Sequence, residues 1–278
     1  MKTITFLKTM LTQTRLSKVL TVLALLSTGQ AQALMGGNRS VGYPATVRMD
    51  FTKDGDESVC SGVLISNRYI LTAAQCFGVL GPKSFTCSPL QAEMHVRNIE
   101  VNARSYSIKG IHIHPDVAGT TYSVVARPLL QKWDLAVVEL NEPVQGMSGN
   151  VLRFAHLTSE QPVIVGGYGM DRIAGAYSPA LLMTTGKLTA ANPTKMIVET
   201  RPETSLLHGD VGGPVYDMEG QVVAINSSII PSRFERRIAS EADTETPVAY
   251  TTYATRLTGQ HEWINQVAQG HSTATCVP

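Results

Sequence analysis

The stretch HGDVGGP at 208–214 packs three glycines, an acid and a proline into one short segment. Glycine admits backbone conformations closed to other residues, so successive amide N–H groups of such a turn can converge into an anion-binding nest. A turn of this kind presents a nucleophile beside N–H donors that stabilise an oxyanion. The residue presented is Val211. Its isopropyl group can neither attack a carbonyl nor donate a hydrogen bond.

A second segment shows the same loss. ILTAAQCF at 70–77 is an apolar strand that ends in two alanines, with Gln75 directly before Cys76. A general base must accept a proton near neutral pH, which imidazole does and an amide does not. An acid survives: Asp134 opens the apolar run DLAVVEL at 134–140. If buried, it must find donors, either local backbone amides or Gln75; the alternative is an exposed aspartate. His208 is the only histidine beside the 208–214 turn, and Ser205, Ser227 and Ser228 supply hydroxyls nearby in sequence. No spacing places one of these hydroxyls opposite His208, which reads as a residue at a cleft edge. His112 and His114 lie two apart and share a strand face, yet no third ligand accompanies them, so neither a metal nor a cofactor is expected.

The elements that must position these residues are short strands: 61–65, 69–74, 134–140, 162–168 and 220–227, each β-branched or apolar with Gly, Pro or Asn nearby. A helical period is confined to 262–269, where Trp263, Ile264 and Val267 share a face. An all-β body with a C-terminal helix follows. Two stretches, 115–132 and 229–248, read as extended surface loops; the second mixes Arg233, Arg236 and Arg237 with Glu241, Asp243 and Glu245.

The N-terminus has the form of a signal peptide. Lys2, Lys8, Arg15 and Lys18 precede the apolar run at 19–26, and Ala31, Gln32 and Ala33 supply the small-residue site. Cleavage after Ala33 leaves 245 residues with 19 basic and 22 acidic side chains. That balance argues against a nucleic-acid partner, and no other stretch approaches a membrane span. The composition suggests a bacterial exported protein, periplasmic or secreted. All four cysteines, at 60, 76, 87 and 276, fall in the mature part without a Cys-x-x-Cys spacing, which favours two disulfides, with three pairings open to arithmetic.

Taken together, these residues resemble the trypsin/chymotrypsin-like serine proteases across nearly the whole mature length. TAAQC at 72–76 is similar to the family's TAAHC, DLAVVEL to its DIALL strand, and GDVGGP at 209–214 to GDSGGP. IHIHPD at 111–116, GGYG at 166–169, YATRL at 253–257 and the pair Trp263 and Ile264 match further family segments. The resemblance implies two packed six-stranded antiparallel β-barrels with a C-terminal helix: signal peptide 1–33, first barrel about 34–148, second barrel about 149–258, helix and tail 259–278.

It also implies a degenerate triad at Gln75, Asp134 and Val211, an oxyanion-hole-like backbone at Gly209 and Val211, and a disulfide between Cys60 and Cys76. Cys87 with Cys276 is the remaining pair, a free Cys276 being the alternative. The pocket would be built from Ser205, Leu207, His208, Ser227, Ser228 and Ile229. Leu207 replaces the family's pocket cysteine, Ser205 falls where trypsin-like enzymes hold an Asp, and Ile229 in place of Gly is expected to narrow the cleft. A mature N-terminus at Leu34 would pair with Asp210, as in the family. The function implied is a non-catalytic homologue that binds a peptide or protein partner, such as an active protease or a protease inhibitor, as a decoy, adaptor or regulator. A serine-type endopeptidase with nonstandard residues is the alternative.

Overall fold

The computed structural model describes residues 38–39, 42–53, 56–80, 85–87, 95–97, 104–117, 133–171, 175–190, 192–201, 204–231 and 250–276. The signal-peptide reading, Leu34, and most of the two loop stretches lie outside the described residues.

Strand β1 (Asn38–Arg39) precedes β2 (Thr46–Lys53), β3 (Asp56–Leu64) and β4 (Tyr69–Thr72). A side hairpin, β5 (Gly78–Leu80) and β6 (Phe85–Cys87), is followed by β7 (His95–Arg97), β8 (Ser105–Ile113) and β9 (Ala136–Leu140). Strands β2, β3, β4, β9, β8 and β7 form a closed barrel in that order. The alternation is plain in β8, where Tyr106 and Ile108 are buried while Ser105, Ser107 and Lys109 face out. Val47, Met49, Val63, Ile70, Leu71, Val96 and Val138 join the barrel core.

The second sheet contains β10 (Pro162–Gly167), β13 (Leu182–Ala190), β14 (Lys195–Thr200), β15 (Pro214–Tyr216), β16 (Val222–Pro231) and β17 (Tyr250–Arg256); β11 (Met170–Asp171) and β12 (Ala176–Tyr177) form a separate pair. Here the expectation of two six-stranded barrels is corrected. The molecule has one closed six-stranded barrel and one curled seven-stranded sheet, in the order β1, β13, β10, β15, β16, β17, β14. The reason lies in β13. It pairs with β14 only from Gly186 to Ala190, and Leu182 and Met183 at its other end pair with β1 instead. The second sheet therefore does not close along its full length. Its own core is Val163, Val165, Leu188, Met196, Val198, Leu206, Val215, Val223 and Ala254.

One further expectation changes. Residues 229–231 continue β16 and are not the start of a loop. The helix, α1 (His261–Ala268), buries Ile264 and Val267 and holds Trp263 edge-on to His114, 4.7 Å between ring centroids. After it the chain returns to the barrel, where Ile111 N–H donates to the Cys276 carbonyl at 2.9 Å and Cys276 N–H donates to that of Ile111 at 3.1 Å. No helix among the described residues is long and apolar enough to cross a membrane.

Candidate functional site

Two carbonyls of the 208–214 turn are pinned by hydrogen bonds. Met170 N–H donates to the His208 carbonyl at 2.7 Å, and Gly213 N–H donates to that of Asp210 at 3.0 Å. In a trans peptide the N–H points opposite its carbonyl. Pinning these two carbonyls therefore turns the N–H of Gly209 away from Met170 and that of Val211 away from Gly213. Neither donates to another group among the described residues.

Ser61 on β3 bolts this turn to the barrel. Its Oγ donates to the Gly209 carbonyl at 2.8 Å and accepts from Tyr168 N–H at 2.9 Å, and its own N–H donates to the Val211 carbonyl at 2.8 Å. Gly212 sits at φ +82°, where an added Cβ would stand 2.1 Å from Thr72 Oγ1 and 2.2 Å from the Ser61 carbonyl, so only glycine fits. Val211 is partly buried against the barrel core. Ser61 was not singled out from sequence, and it had no signal beyond its place after Cys60.

Gln75 lies in the single 3₁₀ turn Ala74–Phe77 that follows β4. The turn is tied to β3 by the Cys60–Cys76 disulfide. Gln75 N–H donates to Asp134 Oδ1 at 3.0 Å, and its Nε2 donates to Asp134 Oδ2 at 3.1 Å and to the Ser227 carbonyl. Asp134 is wholly buried, and Ser227 Oγ donates to its Oδ2 at 2.6 Å. Ser227 is aimed there by a bulge in β16, between Asn226 and Ser228, that frees it from the ladder. Behind Ser227 lies Lys195, also wholly buried. Reading along the strand missed it, because Lys195 is on the face opposite the core residue Met196.

The pocket residues separate by burial. Ser205, Leu207, Ser227 and Ser228 are buried and His208 is exposed. Among the described residues no hydroxyl bonds the His208 imidazole. Ile229 is partly buried against the second core.

Asp210 is buried with Gly169 N–H on Oδ1 at 2.8 Å and Leu207 N–H on Oδ2 at 2.8 Å. Burial pushes its carboxyl up to about 7, although the Leu207 and Gly169 N–H groups pull the other way. Its expected partner Leu34 lies outside the described residues. Cys276 is disulfide-bonded, and the Cys87 side chain lies outside the described residues.

His112 and His114 are both buried, which pushes both imidazoles below the usual range. His114 is held between Gln260 Oε1, at 2.6 Å from Nε2, and Asp116 N–H, which donates to Nδ1. The described residues contain no group of three or more His, Cys, Asp or Glu placed to hold a metal ion.

A closed barrel, a curled second sheet and a nucleophile-type turn locked between them define a protease-like fold. The family model described as Trypsin matches residues 35–255, and the chain belongs to that family. No curated protein sequence matches it. Among solved structures it is similar to the scabies mite inactivated protease paralogue S-D1, at 16% identity over 86% of this chain and 99% of that one, with TM-score 0.63. Human heparin binding protein is similar at 19% identity over 87% and 99%, with TM-score 0.61. A Glu endopeptidase is similar at 16% identity over 85% and 100%, also with TM-score 0.61. At these identities the likeness establishes the fold alone.

Proposed function

We propose that this protein is a non-catalytic serine-protease homologue that captures an extended peptide segment of a protein partner. One observation carries the reading: the Gln75 amide takes up both Asp134 and the Ser227 carbonyl, while Val211 occupies the nucleophile's turn. An amide fastened in this way cannot withdraw a proton, and the valine offers nothing to activate. What the fold retains suits binding. The N–H groups of Gly209 and Val211 can receive a carbonyl, and beyond the bulge Ile229 and Ile230 pair with β17 along one edge, while no described strand pairs with their other edge, which suits a peptide strand. An active protease or a protease inhibitor is the kind of partner that presents such a segment, and the signal-peptide pattern of residues 1–33 supports an encounter outside the cytoplasm.

The test is mass spectrometry of a diverse peptide library incubated with the mature protein and with a Gln75→His/Val211→Ser variant. No cleavage by the unmodified protein, together with saturable peptide retention lost on blocking the cleft, is the expected result. Cleavage at one consistent specificity by the unmodified protein would overturn the reading.

A further inference from the structure

The acid of the degenerate triad has a buried cation behind it. Lys195 opens β14 in register with Thr255 of β17. Its Nζ donates to Ser227 Oγ at 2.7 Å and to Thr255 Oγ1 at 2.6 Å. An ammonium only donates, so each hydroxyl accepts from it and must pass its own proton onward. Ser227 passes its proton to Asp134 Oδ2 at 2.6 Å, and Thr255 donates to the Asp134 main-chain carbonyl at 3.4 Å. Gln75 adds two further donors, its N–H to Oδ1 and its Nε2 to Oδ2. The Asp134 side chain thus receives three hydrogen bonds and gives none, the pattern of an ionised carboxylate.

Among the described residues one other charged group touches this lysine. Arg256 Nε donates to the Lys195 main-chain carbonyl at 3.4 Å, on the side away from the ammonium. Burial pulls Lys195 down to about 8 while the Asp134 charge holds it up. A buried charge left alone is costly, and here each charge answers the other through a single hydroxyl.

We propose that Lys195 is the resident counter-ion of Asp134, balancing in the resting protein, through Ser227, a carboxylate that a protonated base would balance only during reaction. Asp134 then serves as half of an internal ion pair, and position 75 needs no titratable side chain. Any cation formed at position 75 would face this ammonium across the same carboxylate. Lys195 is therefore a third position, beside Gln75 and Val211, at which triad chemistry is shut off. The inference goes beyond the binding role proposed above and does not depend on it.

The experiment compares Gln75→His/Val211→Ser with and without Lys195→Met, following the introduced imidazole by NMR titration and hydrolysis by peptide turnover. With Lys195 in place the imidazole is expected to titrate below its ordinary range; Lys195→Met should raise it by about one pKa unit or more and raise turnover by ~10-fold or more. An imidazole that titrates identically in both overturns the proposal. A double-mutant cycle in the otherwise unmodified protein covers the case in which those variants fold poorly. Lys195→Met and Asp134→Asn should each raise the unfolding constant by ~100-fold or more, and the pair together by far less than the product. Additive losses overturn the proposal. Cleavage by the unmodified protein would count against the non-catalytic reading alone, leaving this one to its own titration.

Discussion

Gln75 and Asp134 meet through two hydrogen bonds to different carboxylate oxygens, a backbone N–H to Oδ1 at 3.0 Å and the side-chain amide to Oδ2 at 3.1 Å. Only the second depends on the side chain. Gln75→Ala is therefore expected to cost about 1–3 kcal/mol, the range for leaving buried acceptors short of a donor. Gln75→Glu should cost more at pH 8 than at pH 5, since a second carboxylate would face Asp134 and the Ser227 carbonyl. Chemical denaturation at the two pH values checks both, and a Gln75→Ala midpoint equal to that of the parent would show that the amide contributes nothing.

Ser61 couples the barrel to the turn that carries Val211. Ser61→Ala removes the donor to the Gly209 carbonyl and the acceptor for Tyr168 N–H, both buried. The expected loss is about 1–3 kcal/mol, accompanied by weaker peptide retention because the Gly209 peptide plane is no longer held. Denaturant midpoints and a peptide-binding isotherm measure the two effects. Loss of stability with unchanged peptide affinity would show that Ser61 does not orient the N–H pair.

Asp210 links stability to pH and to the N-terminus. Its folded-state carboxyl is pushed up to about 7 from an ordinary value of 3.8. Between those values the native state binds a proton that the unfolded chain has released, so stability falls as pH rises from about 4 to about 7. The loss is on the order of a few kcal/mol, at about 1.4 kcal/mol per pKa unit. This slope is expected for the chain carrying residues 1–33. A chain that begins at Leu34, if its α-ammonium pairs with Asp210, should lose the slope or reverse it. Unfolding free energies of both forms across pH 4–8 decide the point, and identical slopes would exclude the Leu34–Asp210 pair.

Much of the site was legible because it depends on short, local patterns. The glycines of 208–214 demand a tight turn, and the apolar runs of 69–74 and 134–140 demand strands, whatever surrounds them. Side-chain identity alone also settles that Val211 cannot attack and that Gln75 cannot act as a base. Tertiary structure decided the rest, because distant residues set it. The long β13 is shared between β1 and β14, and no local pattern in Leu182–Ala190 announces that division of one edge.

The burial of Lys195 is the sharpest case. Strand alternation puts Lys195 opposite Met196, on the face that also carries the exposed Glu199. Only the approach of Asp134 from the first barrel, and the β16 bulge that swings Ser227 between them, turn that position into a buried one. Local sequence determines backbone shape and side-chain chemistry through propensity and sterics. Which charges share a low-dielectric interior depends on contacts between residues far apart in the chain, and those exist only once the two sheets have packed.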